Sequence, residues 1–303
     1  NARVTVFETD PRLATRFGVI ACAVLGVLGV FALVVALAIP ASLVTFGCLL
    51  VALGAGLAVV FLLYQLRGLR SLSYSLDRNS FVIRWGEVRE IIPMAEAQRV
   101  IAGSEIRQGL RVRRVPLPGW WVGVGRHPAL GEIHFYSNDD LDRQSIIVTP
   151  DKSFAVSSLN PEAFDDAFNQ RLAMRPTQDV QYARIVPGLR STAAFRDHLA
   201  QGLILAAIVV FLGLTAYAFA VYPGLPRALA LHYNSLGLPD RFGAASSIFS
   251  VVAIALAALA GNAVLGVIAY RLGEKLGAYL AWAGGIFVQI AFALAALSIV
   301  ART

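Results

Sequence analysis

The sequence predicts an α+β protein in which about five membrane-spanning helices carry a small inserted β-barrel with its own C-terminal helix. Two observations lead to this fold class. The chain of 303 residues is 57% hydrophobic and only 15% charged, whereas soluble domains carry about 25% charged residues. Between residue 71 and about residue 175, however, short β-prone runs alternate with turn-forming clusters.

Five apolar runs without a charged side chain form the predicted spans. Each is longer than the ~20 residues that a helix needs to cross a ~30 Å hydrocarbon core. The first run is too long for a signal-peptide core and a second follows at once, so we expect an uncleaved hairpin, either fully spanning or shallow. The runs are residues 17–39, 41–64, 199–222, 244–270 and 278–300.

These runs divide the chain into four predicted parts. The N-terminal tail and helical hairpin occupy residues 1–66, and the inserted domain occupies residues 67–178. A linker, residues 179–198, leads to a three-span domain of residues 199–303. The loop between the third and fourth spans covers residues 223–243.

Basic residues near the span ends predict the orientation. Residues such as Arg12, Arg67 and Arg271 lie on one side, and far fewer, including Arg227 and Arg241, lie on the other. Because cytoplasmic loops carry the excess of Arg and Lys, the inserted domain is expected in the cytoplasm and the 223–243 loop outside. The sequence thus predicts a multi-pass protein of a bacterial plasma membrane.

The inserted domain is predicted to form a partly open barrel closed by one helix. Residues 73–76 and 81–85 flank an Asp-Arg-Asn turn, which is a hairpin signal. Asn160 and Pro161 suit the start of a helix, and Phe164 and Phe168 lie on one face of it. Further strands are predicted at 88–92, 132–136, 145–148 and 154–156, with irregular strands within 103–128.

Two stretches resemble the bacterial pleckstrin-homology-like (PH-like) domain. They read "YSLDRNSFVIRWGEVREIIPMAEAQRV" and "GEIHFYSNDDLDRQSIIVTPDKSFAVSSLNPEAFDDAF". The second contains two strands, a turn, a third strand and the "NPEAF" that opens the final helix. This resemblance implies a module for protein interaction or oligomerisation, in some cases near lipid.

One basic cluster in this domain is a candidate lipid or partner surface. Each Arg near an anionic leaflet contributes about 1 kcal/mol, and Trp favours the membrane interface. The alternative is a solvated basic face with both Trp in a core or subunit contact. Basic and acidic residues nearly balance between residues 65 and 198, so we expect no nucleic-acid partner. The cluster comprises Arg107, Arg111, Arg113, Arg114, Trp120 and Trp121.

No motif for catalysis or cofactor binding is present, and we expect neither an enzyme nor a metal or other cofactor. HExxH, CxxC, G-x-S-x-G and phosphate-binding Gly-Lys patterns are missing from the sequence. Asn262 and Gln289 lie at similar depths in the last two spans and are predicted to form an intramembrane polar pair, because buried amides bond across packed helices.

The outer loop forms the remaining candidate contact site. The stretch "LPRALALHYNSLGLPDRFGAAS" resembles the membrane family of the SdpI-type toxin-immunity protein, which implies a role in immunity or signalling. Its residue types alone fit a re-entry turn, a contact surface or, with few ligands, a metal or proton site. The candidate residues are His232, Asn234, Gly237, Pro239, Asp240 and Arg241.

Taken together, these features predict a non-catalytic membrane anchor, scaffold or signalling protein. Its PH-like domain is expected to bind a protein partner or further copies of the chain, and membrane lipids surround its spans. One form of this is an accessory subunit of a larger membrane complex. The alternative is a transporter-like or toxin-immunity-type protein that acts through its spans and outer loop.

Overall fold

The structure is a computed structural model that describes residues 4–186, 194, 197–236 and 238–302. Five of its helices are long and apolar enough to cross a membrane, which confirms the predicted fold class. A sixth, shorter helix closes the inserted domain. The helices are α1 (Arg12–Ala38), α2 (Leu43–Arg70), α3 (Pro161–Ala173), α4 (His198–Val221), α5 (Ile248–Arg271) and α6 (Lys275–Ala301).

Local sequence signals explain where several helices begin and end. The Asn160 side chain accepts a hydrogen bond from the backbone N–H of Ala163 at 3.1 Å, and Pro161 is the first residue of α3, as predicted. Gly273 has φ +90° between α5 and α6, a left-handed conformation that glycine adopts without steric cost.

Thirteen strands are present in the described residues. They are β1 (Thr5–Glu8), β2 (Ser73–Leu76), β3 (Ser80–Trp85), β4 (Val88–Pro93), β5 (Arg99–Ala102), β6 (Arg111–Arg114), β7 (Trp121–His127), β8 (Gly131–Ser137), β9 (Ser145–Val148), β10 (Ser153–Val156), β11 (Ala183–Ile185), β12 (Ala228–Tyr233) and β13 (Pro239–Ala244). The predicted first hairpin is β2–β3, with Ser75 opposite Val82.

The strands of the inserted domain form two sheets. The first has the order β1-β2-β3-β4-β11 and the second the order β5-β9-β10-β8-β7-β6. Strand β1 precedes α1 and strand β11 follows α3 along the chain, so both lie outside the bounds that the sequence predicts for this domain. Strand β1 pairs antiparallel with β2, and β11 pairs antiparallel with β4, so the two strands form the edges of the first sheet.

One hydrophobic core joins the two sheets and α3. Phe81 of the first sheet, Phe154 of the second, and Phe164 and Phe168 of α3 are all at most 1% exposed. The rings of Phe81 and Phe168 meet edge to face with centroids 5.8 Å apart. The predicted Phe face of the closing helix therefore packs into the space between the sheets.

The chain divides into two compact units. The first consists of Asn1–Val27 and Gly56–Pro187, and the second of Leu28–Ala55 and Gly188–Thr303. The first unit therefore contains the two-sheet domain together with the adjoining parts of α1 and α2. The second contains α4, α5, α6 and the β12–β13 hairpin.

Candidate interaction surfaces

Trp120 connects the two-sheet domain to α1 and α2, the helices of the same unit. Its indole N–H donates to the backbone oxygen of Ala14 in α1 at 2.8 Å, and the residue is 2% exposed. The ring packs in a cluster with Leu62 and Leu66 of α2. For Trp120, the structure thus contradicts the exposed lipid or partner surface and favours the alternative of a buried contact.

Two helix glycines make room for tryptophan rings of the domain. A Cβ atom on Gly18 would lie 2.6 Å from Cζ2 of Trp120, and one on Gly68 would lie 2.2 Å from Cε2 of Trp85. Trp85 also meets Tyr64 of α2 edge to face, with ring centroids 5.4 Å apart. The domain is therefore held on both α1 and α2.

Two of the four clustered arginines have internal partners. Arg114 donates to the backbone oxygens of Val115 and Leu117, each at 3.3 Å, and its guanidinium lies 4.1 Å from the ring centre of Trp121. Arg107 pairs with the carboxylate of Asp142. Arg114 is therefore bound back on its own loop, whereas Arg107 is exposed and its charge is paired with that of Asp142.

Arg111 and Arg113 remain exposed on β6, and a third arginine joins them. Arg126 of β7 lies directly opposite Arg111 in the strand pairing and is exposed as well. We call Arg111, Arg113 and Arg126 the basic edge. Sequence reasoning missed Arg126 because only the strand register brings it to this position.

A buried carboxylate ties β11 to the domain. Glu90 of β4 is fully buried and accepts hydrogen bonds from the hydroxyls of Tyr136, at 2.9 Å, and Tyr182. The Arg184 guanidinium of β11 lies 3.3 Å from the same carboxylate. Burial raises the pKa of Tyr136 most, and the nearby Glu90 charge raises it further. The Tyr136 hydroxyl therefore stays neutral beside the Glu90–Arg184 ion pair.

In the second unit, Asp197 connects the start of α4 to α5 and α6. One carboxylate oxygen accepts from the backbone N–H groups of Leu199 and Ala200, at 2.9 and 3.3 Å. The other accepts from the hydroxyls of Tyr270 and Tyr279, at 3.0 and 2.5 Å. The Tyr279 hydroxyl contributes most to lowering the pKa of Asp197 to about 2. Neither the composition nor a motif of the sequence indicates that Asp197 links these three helices.

Because its folded pKa lies below the ordinary value of 3.8, Asp197 contributes stability above that value, and the contribution is lost as the pH falls towards about 2. We expect Asp197→Ala to lower the melting temperature of the detergent-solubilised chain at pH 7 and to have little effect near pH 2. Asp197→Asn is the matched control, since asparagine also caps helices; an effect of Asp197→Ala independent of pH would contradict this assignment.

Asn262 and Gln289 do not form the predicted pair. The Asn262 amide donates to Ala258 of its own helix at 2.9 Å, whereas the Gln289 amide donates across helices to the oxygen of Ala255, also at 2.9 Å. Similar depth did not bring the two amides together, because a carbonyl one turn back along α5 is within reach of Asn262.

The loop predicted to lie outside, residues 223–243, contains a β-hairpin. Strand β12 pairs with β13, and His232 lies opposite Arg241 and Tyr233 opposite Pro239. The Asn234 side chain organises the turn by accepting from the N–H groups of Leu236 and Leu238, at 3.0 and 2.9 Å. Gly237 and the side chain of His232 lie outside the described residues. Within the described residues, no cluster of three His, Cys, Asp or Glu residues could hold a metal ion.

Comparison with known families identifies the inserted domain. Residues 72–172 match a family model described as Bacterial PH domain, which confirms the resemblance of this region to PH-like domains. No curated protein and no solved structure matches the chain. The matched region does not include the outer loop, so its resemblance to the SdpI-type family stays a prediction.

Proposed function

We propose that the chain is a non-catalytic membrane anchor whose PH-like domain binds a protein partner or a second copy of the chain. One observation carries this proposal: the domain is packed on the apolar helices of its own unit instead of hanging from them by a linker. The buried Trp120 and its 2.8 Å hydrogen bond to Ala14 are the centre of that contact.

A domain held in this way is suited to binding. Fixing a surface before the partner arrives lowers the entropy lost on association. The Trp120 and Trp85 contacts restrict the domain to one orientation on α1 and α2, so the surface it presents is preorganised. The basic edge is one charged part of that surface that has no ion-pair partner among the described residues.

We place the domain on the cytoplasmic side of a bacterial plasma membrane. Arginines at the domain-side ends of α1 and α2 support this placement, because cytoplasmic flanks of spans are rich in Arg and Lys. The exposed ones are Arg12, Arg16, Arg67 and Arg70. Modification of single cysteines introduced at Glu162, in the domain, and at Leu236, in the outer hairpin, tests it: a membrane-impermeant maleimide should label only the second in intact cells.

The proposed function predicts an assembly larger than one chain. Native mass spectrometry of the full chain, extracted gently from its own membrane, should show a homo-oligomer or a defined complex, including that of an accessory subunit. The matched control is the Trp120→Ala chain, in which a loosened domain should weaken the assembly. A monomer in both preparations would contradict the proposal.

A further inference from the structure

We infer that the outer edge of β6 accepts an extended acidic segment of a partner protein as an added β-strand. This inference rests on the proposed function, because it names the chemistry of the partner that the PH-like domain binds. Addition of a strand to an exposed sheet edge is a recurring mode of peptide recognition, in which main-chain hydrogen bonds provide affinity and alternate side chains provide specificity.

Strand β6 has a free side. It is the last strand of the second sheet and pairs with β7 alone. A Cβ atom on Gly123 would lie 2.1 Å from the carbonyl oxygen of Arg113, and one on Gly125 would lie 3.1 Å from that of Arg111. These two carbonyls therefore face β7.

Because backbone groups alternate sides along an antiparallel strand, the N–H and C=O of Val112 point away from β7. Within the described part of the chain, no other segment forms a backbone hydrogen bond to this side of β6. Natural proteins commonly cover or twist such edges because a row of unpaired backbone groups readily pairs with another chain.

The charge beside this edge selects the chemistry of the added strand. Arg111, Arg113 and Arg126 are exposed, and no described carboxylate lies within ion-pair distance of them. Oppositely charged cross-strand neighbours stabilise a sheet by roughly 0.2–1 kcal/mol per pair. Glutamate or aspartate at alternate positions of an added strand would face Arg111 and Arg113.

The shape of the surface agrees with an extended peptide. A shallow depression of about 520 Å³ runs beside the strand and is lined by the three arginines together with Val112, Val124, Gly125 and Glu132. The Glu132 carboxylate is bound to the His134 ring at 2.6 Å. Val112, between Arg111 and Arg113, points to the opposite face of β6, where it packs against the hydrophobic core. The residues between the acidic ones would meet Val112 there, so the occupant is expected to alternate acidic residues with valine-like or threonine-like ones.

The same residues favour a peptide over a lipid headgroup. Of the clustered arginines, Arg114 is closest in sequence to Trp120, which contacts the apolar helices, and so is the one that a lipid headgroup would be expected to use. Its guanidinium is already bound to loop carbonyls and stacked on Trp121. The free arginines Arg111 and Arg113 are two residues apart on an extended strand, a spacing of about 7 Å that matches the side-chain repeat of a second strand.

The test uses the full chain in nanodiscs of zwitterionic lipid and a fluorescein-labelled octapeptide that alternates glutamate with valine and threonine. Fluorescence anisotropy should show saturable binding. Arg111→Gln with Arg113→Gln should weaken it about tenfold, and more at low salt, where charges are less screened. An isomeric peptide with glutamates in adjacent pairs is the matched ligand control and should bind about tenfold more weakly.

A backbone variant separates strand addition from simple charge attraction. Val112→Pro removes one outward N–H at an edge position, where proline is tolerated, and should weaken peptide binding about tenfold. Val112→Thr keeps that N–H and should bind within about twofold of the unsubstituted chain. If Val112→Pro does not fold, peptides N-methylated at alternate residues replace it; only the set whose N–H groups face β6 should lose binding.

Three results would overturn the inference. These are no binding of the alternating peptide, equal binding of the paired-charge isomer, and binding that is insensitive to both Val112→Pro and N-methylation. Binding of vesicles containing anionic phosphatidylglycerol without binding of the peptide would assign the basic edge to lipid instead. In each case an oligomer or complex in native mass spectrometry that persists in the Val112→Pro chain would leave the proposed function standing.

Discussion

Replacing Trp120 by alanine is expected to loosen the PH-like domain from α1 and α2. The substitution removes a fully packed ring and its hydrogen bond to Ala14, which is 106 residues away in sequence. Truncation of a buried tryptophan costs about 3–5 kcal/mol. Hydrogen exchange should show it as faster exchange of amides around residues 14–18 and 117–122, with β9 and β10 unchanged.

Trp121→Ala is the matched control. Trp121 is partly exposed, and its ring contacts Arg114 and Phe135, both within the domain. Its loss should affect exchange in β7 and β8 and leave the Ala14 region protected. Equal deprotection of α1 in both variants would contradict the assignment of Trp120 as the docking residue.

Replacing Glu90 by alanine is expected to open the first sheet at its β4–β11 edge. The carboxylate is fully buried. It accepts hydrogen bonds from Tyr136 and Tyr182 and forms an ion pair with Arg184. Its removal leaves the buried Tyr136 hydroxyl without its acceptor, at about 1–3 kcal/mol, and breaks an ion pair with a buried partner, for which losses reach about 3–5 kcal/mol. Because Arg184 is 39% exposed and regains water, we expect about 3 kcal/mol.

The measurement is the opening free energy of β4 and β11 from native-state hydrogen exchange. Glu96→Ala provides the control, since Glu96 is exposed and surface changes of this kind stay within about 0.5 kcal/mol. Glu90→Gln should be intermediate, because an amide oxygen still accepts from one tyrosine. A Glu90→Ala effect no larger than that of Glu96→Ala would show that the cluster does not hold β11.

The features that the sequence predicted correctly are those with local signals. Long uncharged runs marked the five apolar helices, the Asp-Arg-Asn turn marked the β2–β3 hairpin, and the Asn160-Pro161 pair marked the start of α3. Strands β1 and β11 were not predicted because they are short. Along the chain they are separated from the other strands, β1 by the helices α1 and α2 and β11 by α3. Their pairing is a tertiary effect, which overrides local propensity.

From the sequence, the candidate site could be predicted only as a cluster of neighbouring residues. Several residues that are close in sequence do not share one surface in the structure. Arg107 is bound to Asp142, 35 residues further on. Arg114 is folded back on its own loop, whereas Arg126 reaches the basic edge through the strand register. Trp120 needs a glycine in α1 opposite its ring, and a single sequence carries no sign of which glycine that is.

The central claim is that the PH-like domain is held in one orientation on α1 and α2. Pulsed electron paramagnetic resonance tests it in the full chain, with Cys22 and Cys48 replaced by alanine and spin labels at Arg67 of α2 and Glu162 of α3, both exposed. We predict one narrow distance distribution in nanodiscs, which broadens when Trp120→Ala is added. A broad or multi-peaked distribution in the chain that retains Trp120 would contradict the account.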